Sequence, residues 1–474
     1  MMEPVIKSMI CLMQILDKKG GRGSAMAVAM MLLATGQGIG QTVVPLIEPP
    51  APAPAVAPAT PAVAPAVPAA PADLSALSPM ADAPKWSELS TLANQLTQQE
   101  FEAAISGFYS DGSTFPQPWE VTTDGVSVKT GDIAAPIAMI PFRKPSDAKP
   151  KPQRYWRTLA ELPPLRGRPV LSDLNVALDP GHIGGNYAKI EERHLSFAPG
   201  ESIQEGDLSL LTAQVLKKRL EELGAVVSLV RENNEPVTTD RPGDMRLMAL
   251  DILNKAGVPR PVETYDPNSG DAKVLTTQWQ SEKLFYRVSE IRSRARKVNE
   301  KLKPDVVFCI HFNAESWGDA TRPQFSPQNH MHVLINGCFS PLELATQDVR
   351  FEMISRVFSR AHEVELPLAE AVANSLATTT GLPPYVYTTS NARRVGTSSY
   401  VYARNLLANR LYQCPVIYLE PFVMNHEETY RRLLLGHYRG RTLVGGKLRS
   451  SAIEEYVNGV VQGLLKYSQN KRGD

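Results

Sequence analysis

Three apolar runs of this chain each end in residues able to bind a metal ion or move a proton. Asn175-Val-Ala-Leu178 leads into Asp179-Pro-Gly-His182-Ile-Gly-Gly185. Val306-Val-Phe-Cys-Ile310 leads into His311-Phe-Asn313-Ala-Glu315, and Val416-Ile-Tyr-Leu419 into Glu420-Pro-Phe. A further carboxylate, Glu205, precedes a helix that begins near Asp207. Two imidazoles and a carboxylate suit a catalytic zinc site, because three N and O ligands leave one position for water. A second carboxylate can then act as general base beside the metal, which polarises a scissile carbonyl. Taken singly, each residue has a plainer reading. A histidine at a strand end is commonly structural, and a glutamate before a helix is a favourable partner of the helix dipole. The glycines around His182 let the chain turn sharply and approach a metal or substrate closely.

Such groups act together only if the fold gathers them, and the surrounding pattern provides for that. Val170–Leu178 reads as a strand, and Leu208–Leu223 as an amphipathic helix with Leu208, Leu211, Val215, Leu216 and Leu220 on its apolar side. Gly224 fits the C-cap of that helix, and Ala225–Val230 is the next strand. Leu284–Leu302 is a long basic helix, followed by strands at Val306–Ile310 and Met331–Ile335. Leu342–Arg360 and Leu366–Leu382 read as helices, Val416–Leu419 as a strand, and Ala452–Tyr467 as the last helix. Strands alternating with helices predict an α/β fold: a mostly parallel, mixed, twisted sheet sandwiched by helices. In open sheets of this kind reactive groups collect at the carboxyl ends of the strands, where the three runs end.

Upstream, the organisation is different. Lys18, Lys19 and Arg22 precede the apolar run Ala25–Ala34, so residues 1–41 read as a signal peptide or membrane-targeting segment. No cysteine closely follows that run, which argues against a lipid anchor. Residues 42–82 are an Ala/Pro-rich linker that favours extended polyproline II and cannot build a core. Residues 83–145 read as a small α+β accessory unit, with helical periodicity over Leu89–Phe108, strand alternation over Trp119–Val128 and an apolar run at Ile133–Ile140. A linker at 146–158 leads to the main domain at 159–474. The 474 residues carry 50 Lys+Arg against 49 Asp+Glu, so net charge draws the chain to no nucleic acid. No Walker loop, GxGxxG, Ser-His-Asp signature or nucleic-acid module is present in the sequence. The four cysteines are not spaced as a zinc ribbon or redox pair. They read as buried thiols, with a Cys338–Cys414 bridge open in an oxidising compartment.

The motifs together resemble the zinc-dependent N-acetylmuramoyl-L-alanine amidases. Asp179-Pro-Gly-His182-Ile-Gly-Gly185 is similar to that family's opening motif, and Ile203-Gln-Glu205-Gly-Asp207-Leu-Ser-Leu to its next segment. Ile310-His311-Phe-Asn313-Ala is similar to its second histidine motif. Arg294 and Asn299 match an Arg and Asn in the helix before it, and Pro415-Val-Ile-Tyr-Leu-Glu420-Pro-Phe-Val-Met-Asn425 the strand of the catalytic glutamate. The resemblance runs from about residue 174 to the C-terminus, with the motifs in family order. It implies an amidase or zinc-exopeptidase-like fold, Zn2+ held by His182, Glu205 and His311, and Glu420 as general base. It implies Asn313, Arg294 and Asn425 as supporting or substrate-contacting residues. The implied reaction is hydrolysis of the bond between N-acetylmuramic acid and L-alanine in peptidoglycan, by an exported enzyme of the periplasm or cell envelope. A regulatory protein partner fits the same reading; oligomeric state is not written in the sequence.

The chain also departs from the family. Ile183 stands where glycine is usual, and Glu420 is followed by Pro-Phe rather than Gly-Phe. The stretch Asn186–Gln204 is long, which makes Glu191 or Glu192 a rival ligand to Glu205. An excursion at about 233–283 is read either as a cover over the cleft that restrains activity or as surface decoration. His330 and His332 share one strand face and are a candidate second metal pair; His194 is a candidate cleft residue. Arg393-Arg394 and Tyr438-Arg-Gly-Arg441 are basic clusters that could meet wall carboxylates or phosphates. Two rival functions stand beside the amidase: a zinc carboxypeptidase acting on stem peptides, and a catalytically silent wall-binding protein.

Overall fold

A computed structural model describes residues 74–113, 117–151, 153–266, 271–316, 323–469 and 471–472. The targeting segment expected at 1–41, Cys11 and most of the 42–82 linker lie outside the described residues. Among the described residues no helix is long and apolar enough to cross a membrane.

The first strands in the chain, β1 (Trp119–Val121), β2 (Gly125–Lys129) and β3 (Ile137–Pro141), form an antiparallel sheet in the order β1-β2-β3. The main sheet follows. Its strands are β4 (Asn175–Pro180), β7 (Val226–Leu229), β8 (Val306–Ile310), β9 (Met331–Ile335), β10 (Arg393–Arg394), β11 (Val401–Ala403) and β12 (Val416–Pro421). They lie in the order β10-β11-β9-β12-β8-β4-β7. β7, β4, β8 and β12 are mutually parallel, whereas β9 runs antiparallel to β12. Two short hairpins lie outside it: β5 (His194–Ala198) with β6 (Glu201–Gln204), and β13 (Arg441–Val444) with β14 (Lys447–Ser450).

Both faces of the sheet are covered, as continuous apolar strands require. Val176 and Leu178 of β4 and Val306, Phe308 and Ile310 of β8 face a core built with helices Glu205–Glu222, His362–Thr380 and Ala452–Gln469. The alternate residues Ala177, Val307 and Cys309 face a second core with Ala295, Val298 and Tyr412. Because β8 and β12 run parallel with Ile310 opposite Leu419, His311 and Glu420 come next to each other at one end of the sheet.

The accessory unit is not a separate bead. Trp86, Phe101, Val126 and Ile140 share an apolar core with Met353, Ile354 and Phe358 of helix Gln347–Ser359. Cys338 and Phe339 donate their backbone N–H groups to the carbonyls of Phe108 and Tyr109 at 2.8 and 2.7 Å. The buried Arg350 donates to the carbonyls of Lys129, Thr130 and Leu74 at 2.7, 2.8 and 3.0 Å.

Several elements depart from the sequence expectation for local reasons. The helix expected over Leu89–Phe108 splits into a 3-10 turn at Trp86–Leu92 and a helix at Gln98–Ala104. Asn94 is left-handed (φ +62) between them, and Thr97 with Glu100 forms a capping box that starts the second piece. Leu342–Arg360 likewise divides at Thr346, which is extended and begins the helix Gln347–Ser359. The basic helix starts earlier, at Thr277, and widens into π turns at Phe285–Ser289 and Lys297–Leu302. Cys309, Cys338 and Cys414 are free and buried, so the Cys338–Cys414 bridge is not made.

Candidate metal centre

β4 ends in a turn that presents His182 with a left-handed backbone (φ +56). The turn is held by Arg294, whose buried guanidinium donates to Asp179 Oδ1 (2.9 Å), Pro180 O (2.6 Å) and His182 O (2.8 Å). Its Nε donates to Glu290 Oε1 at 2.7 Å, and Tyr412 donates to the other oxygen of Asp179 at 2.5 Å. Glycine is required at residue 181, because a Cβ there would lie 2.2 Å from the His311 ring. At Gly206 a Cβ would lie 2.2 Å from the backbone nitrogen of Gly184. The His182 turn and the helix carrying Glu205 can approach each other only for that reason.

Three side chains meet there. Glu205 opens the helix Glu205–Glu222 directly after β6, and is buried. Its Oε2 lies 3.2 Å from His182 Nε2, and its Oε1 lies 3.0 Å from His311 Nδ1. One donor atom from each of His182, Glu205 and His311 fits within 4.8 Å of the other two, forming a group that could hold a metal ion. Two neutral imidazole nitrogens and a carboxylate are a donor set that zinc accepts, so the residues present fit the ion.

The electrostatics agree with that use. Burial holds the His182 imidazole well below its usual range, hence neutral and able to ligate. Burial works against the Glu205 carboxylate, but His182 and His311 outweigh it and hold the group at about 2. His311 moves the opposite way to His182. Burial lowers it, but its hydrogen bond to Glu205 and the charge of Glu420 raise it above the ordinary value. A cation at the three donors would take the place of that proton.

Glu420, on β12, lines the same cleft, where burial pushes its carboxyl up to about 7 against the pull of His311. The cleft has a volume of about 320 Å3 and is walled by Tyr286, Arg287 and Ile291 on one side and Tyr385, Tyr387 and Arg404 on the other. Tyr418 stacks on the His311 ring at 4.4 Å between centroids and fixes its plane.

The structure sorts the remaining candidates. Glu191 is not in the three-donor group. It accepts from the backbone N–H of Ile183 (2.9 Å) and Gly184 (3.1 Å), and lies 3.5 Å from His182 Nδ1. That is where a carboxylate orients a ligating imidazole from behind. Glu192 pairs with Lys273 and accepts from Trp279 Nε1 at 3.4 Å. Asn313 lines the cleft, but its side-chain oxygen accepts from the Ala314 N–H at 2.8 Å. Asn425 is fully buried away from the cleft and ties down Glu315 through N–H to Oδ1 and Nδ2 to carbonyl contacts of 2.9 Å each. Asn299 caps backbone at Leu411 and Gln413 and is structural. His330 engages Glu315 at 2.7 Å and His332 engages Tyr387 at 3.1 Å, so these two histidines form no metal pair. His194 starts the β5–β6 hairpin and does not line the cleft; Arg393 is spent on the Ser106 carbonyl at 2.6 Å. Among the described residues of the 233–283 excursion, none lines the cleft. Lys273 and Trp279 instead brace Glu192, next to Arg193, whose Nε lies 3.0 Å from Glu205 Oε2.

Arg193, Tyr385, Tyr387 and Arg404 were not singled out by the sequence. Arg193, Tyr385 and Tyr387 follow no apolar strand, and Arg404 follows one of only three residues, Val401–Ala403, too short to read as a strand from the sequence.

No family model matches the chain, and no curated protein does. Solved structures are similar to it. Several of those structures are named as amidases. Ami1 of Mycobacterium abscessus is 17% identical, with 62% of this chain and 99% of that one covered at a TM-score of 0.33. The CwlD amidase of Clostridioides difficile, solved in complex with the GerS lipoprotein, is 15% identical, with 62% and 98% covered at a TM-score of 0.33. AmiC2 of Nostoc punctiforme is 15% identical, with 62% and 97% covered at a TM-score of 0.30. Likeness this slight carries no functional weight.

Proposed function

We propose that this chain is an exported, zinc-dependent hydrolase of the amide bond between N-acetylmuramic acid and L-alanine in peptidoglycan. The observation that carries the reading is the convergence of His182, Glu205 and His311, with Glu420 in the same cleft. His182, Glu205 and His311 would hold the ion. Zinc bound there supplies a Lewis acid for the scissile carbonyl and acidity for water.

The other steps belong to the chain's own groups. Glu420 takes the proton of the attacking water and returns it to the departing amine, and a carboxyl near 7 is poised for both transfers. Glu191 and Arg294 hold His182 in place, one at the ring and one at the backbone. The aromatic walls restrict water and define where an extended substrate lies. The choice of bond rests on the order of motifs from residue 174 onward, and export on the basic and apolar segments within residues 1–41.

The test is zinc content and release of stem peptides from purified peptidoglycan, for the chain and for H311A. One zinc per chain, with release that vanishes in H311A, is expected. Zinc-loaded protein that frees only single residues from stem termini would make it a carboxypeptidase. Binding to sacculi with neither zinc nor release would make it a wall-binding protein.

A further inference from the structure

The cleft also holds His332 and Arg404, to which no step above gives a role. Glu420 and His332 are directly paired across β12 and β9, so both face the cleft from adjacent strands. His332 Nε2 lies 3.1 Å from the Tyr387 hydroxyl, and Arg404 Nη1 donates to that same hydroxyl at 3.3 Å. One assignment of protons satisfies both contacts. The Tyr387 oxygen accepts from Arg404, so its own proton goes to His332 Nε2. Burial holds His332 well below the usual histidine range, and it stays neutral with its proton on Nδ1. That Nδ1 is buried and has no partner in the protein. Arg404 lines the cleft and forms no salt bridge among the described residues, although its charge acts on Glu420. Its one side-chain bond is to a neutral phenol.

A guanidinium that lines a cleft and forms no salt bridge among the described residues calls for an anionic acceptor. Resting on the function proposed above, we propose that Arg404 binds a carboxylate of the substrate's peptide portion, the one nearest the scissile amide. The glycan side carries hydroxyls and acetamides, and its lactyl carboxyl is already consumed in the scissile bond. Only the peptide side therefore offers a carboxylate. Tyr387, which bonds both Arg404 and His332, is a positioning residue.

The test uses two soluble muramoyl-peptide substrates that differ only in that carboxylate, free in one and carboxamide in the other. Zinc-loaded wild type is expected to prefer the acid by about 10- to 100-fold in kcat/KM, mostly through KM. In R404Q that preference collapses toward one, with zinc content unchanged. R404M, unbranched and about as long as glutamine, replaces R404Q if the latter fails to fold. An undiminished preference in the neutral variants, or no preference in wild type, overturns the proposal. If wild type cleaves neither substrate, it is the proposed function that fails. The subsite is then decided by calorimetric binding of the free peptide acid and its amide. Binding of the acid alone, lost in R404Q, supports it; equal or absent binding of the two overturns it.

Discussion

At the scale of single residues, the site divides into groups that would touch a metal or proton and groups that hold them. Glu420 belongs to the first kind. As a base it works ionised, so kcat/KM should rise with pH along its acid limb and be lost as pH falls through its pKa. Burial places that pKa at about 7 without a metal. A dication nearby favours the carboxylate, so the limb of the loaded protein lies at or below that value. E420Q should retain zinc, lose at least about 100-fold in turnover and lack the limb. A limb that survives in E420Q would assign the proton to another group. Glu191 belongs to the second kind. E191Q should weaken zinc binding by about 10- to 100-fold in a competition titration with a chelator; unchanged affinity would reduce Glu191 to a backbone cap. His182, His311, Glu205 and Glu420 were legible because each abuts an apolar run or a helix start. Glu191 was visible only as a rival ligand. Nothing in a linear pattern says that its carboxylate turns to the far side of the imidazole.

At the scale of elements, the site depends on two backbones meeting. Near the start of the helix, Gly206 lies against Gly184 with no room for a Cβ, and its three nearest contacts are all backbone. G206A should therefore destabilise the fold by about 1–3 kcal/mol in urea unfolding and separate Glu205 from His182. A neutral effect would mean that the helix start can slide. Arg294 makes the opposite kind of joint, a buried charge shared by Asp179 and Glu290. R294M leaves two buried carboxylates unpaired, and a loss of about 3–5 kcal/mol is expected. The strands β8 and β9 were readable to the residue, because their apolar runs are bounded by polar residues. The β5–β6 hairpin was not readable. His194–Gln204 lacks clean alternation, and its register shifts between Leu195 and Ala198.

At the scale of the whole molecule, the α/β sandwich was legible from the alternation of strands and helices. The order of strands was not. The antiparallel β9 sits between β12 and β11, and its placement depends on long-range pairing that local pattern does not encode. The accessory unit was read as a unit, but its partner is helix Gln347–Ser359, which it covers with Trp86, Phe101 and Phe142. Removing residues 74–143 should expose Met353, Ile354 and Phe358 and give a chain that aggregates; a soluble, folded remainder would show that the shared core is dispensable. The described residues of the 233–283 excursion brace the Glu191–Arg193 segment, and none of them lines the cleft. The central claim concerns which bond the assembled molecule cuts. The most direct measurement is mass analysis of the soluble products after zinc-loaded protein digests purified peptidoglycan. Intact stem peptides with a free L-alanine amino terminus, and glycan strands left uncut, are predicted. Single amino acids, glycan fragments or no release at all from the zinc-loaded protein would contradict it.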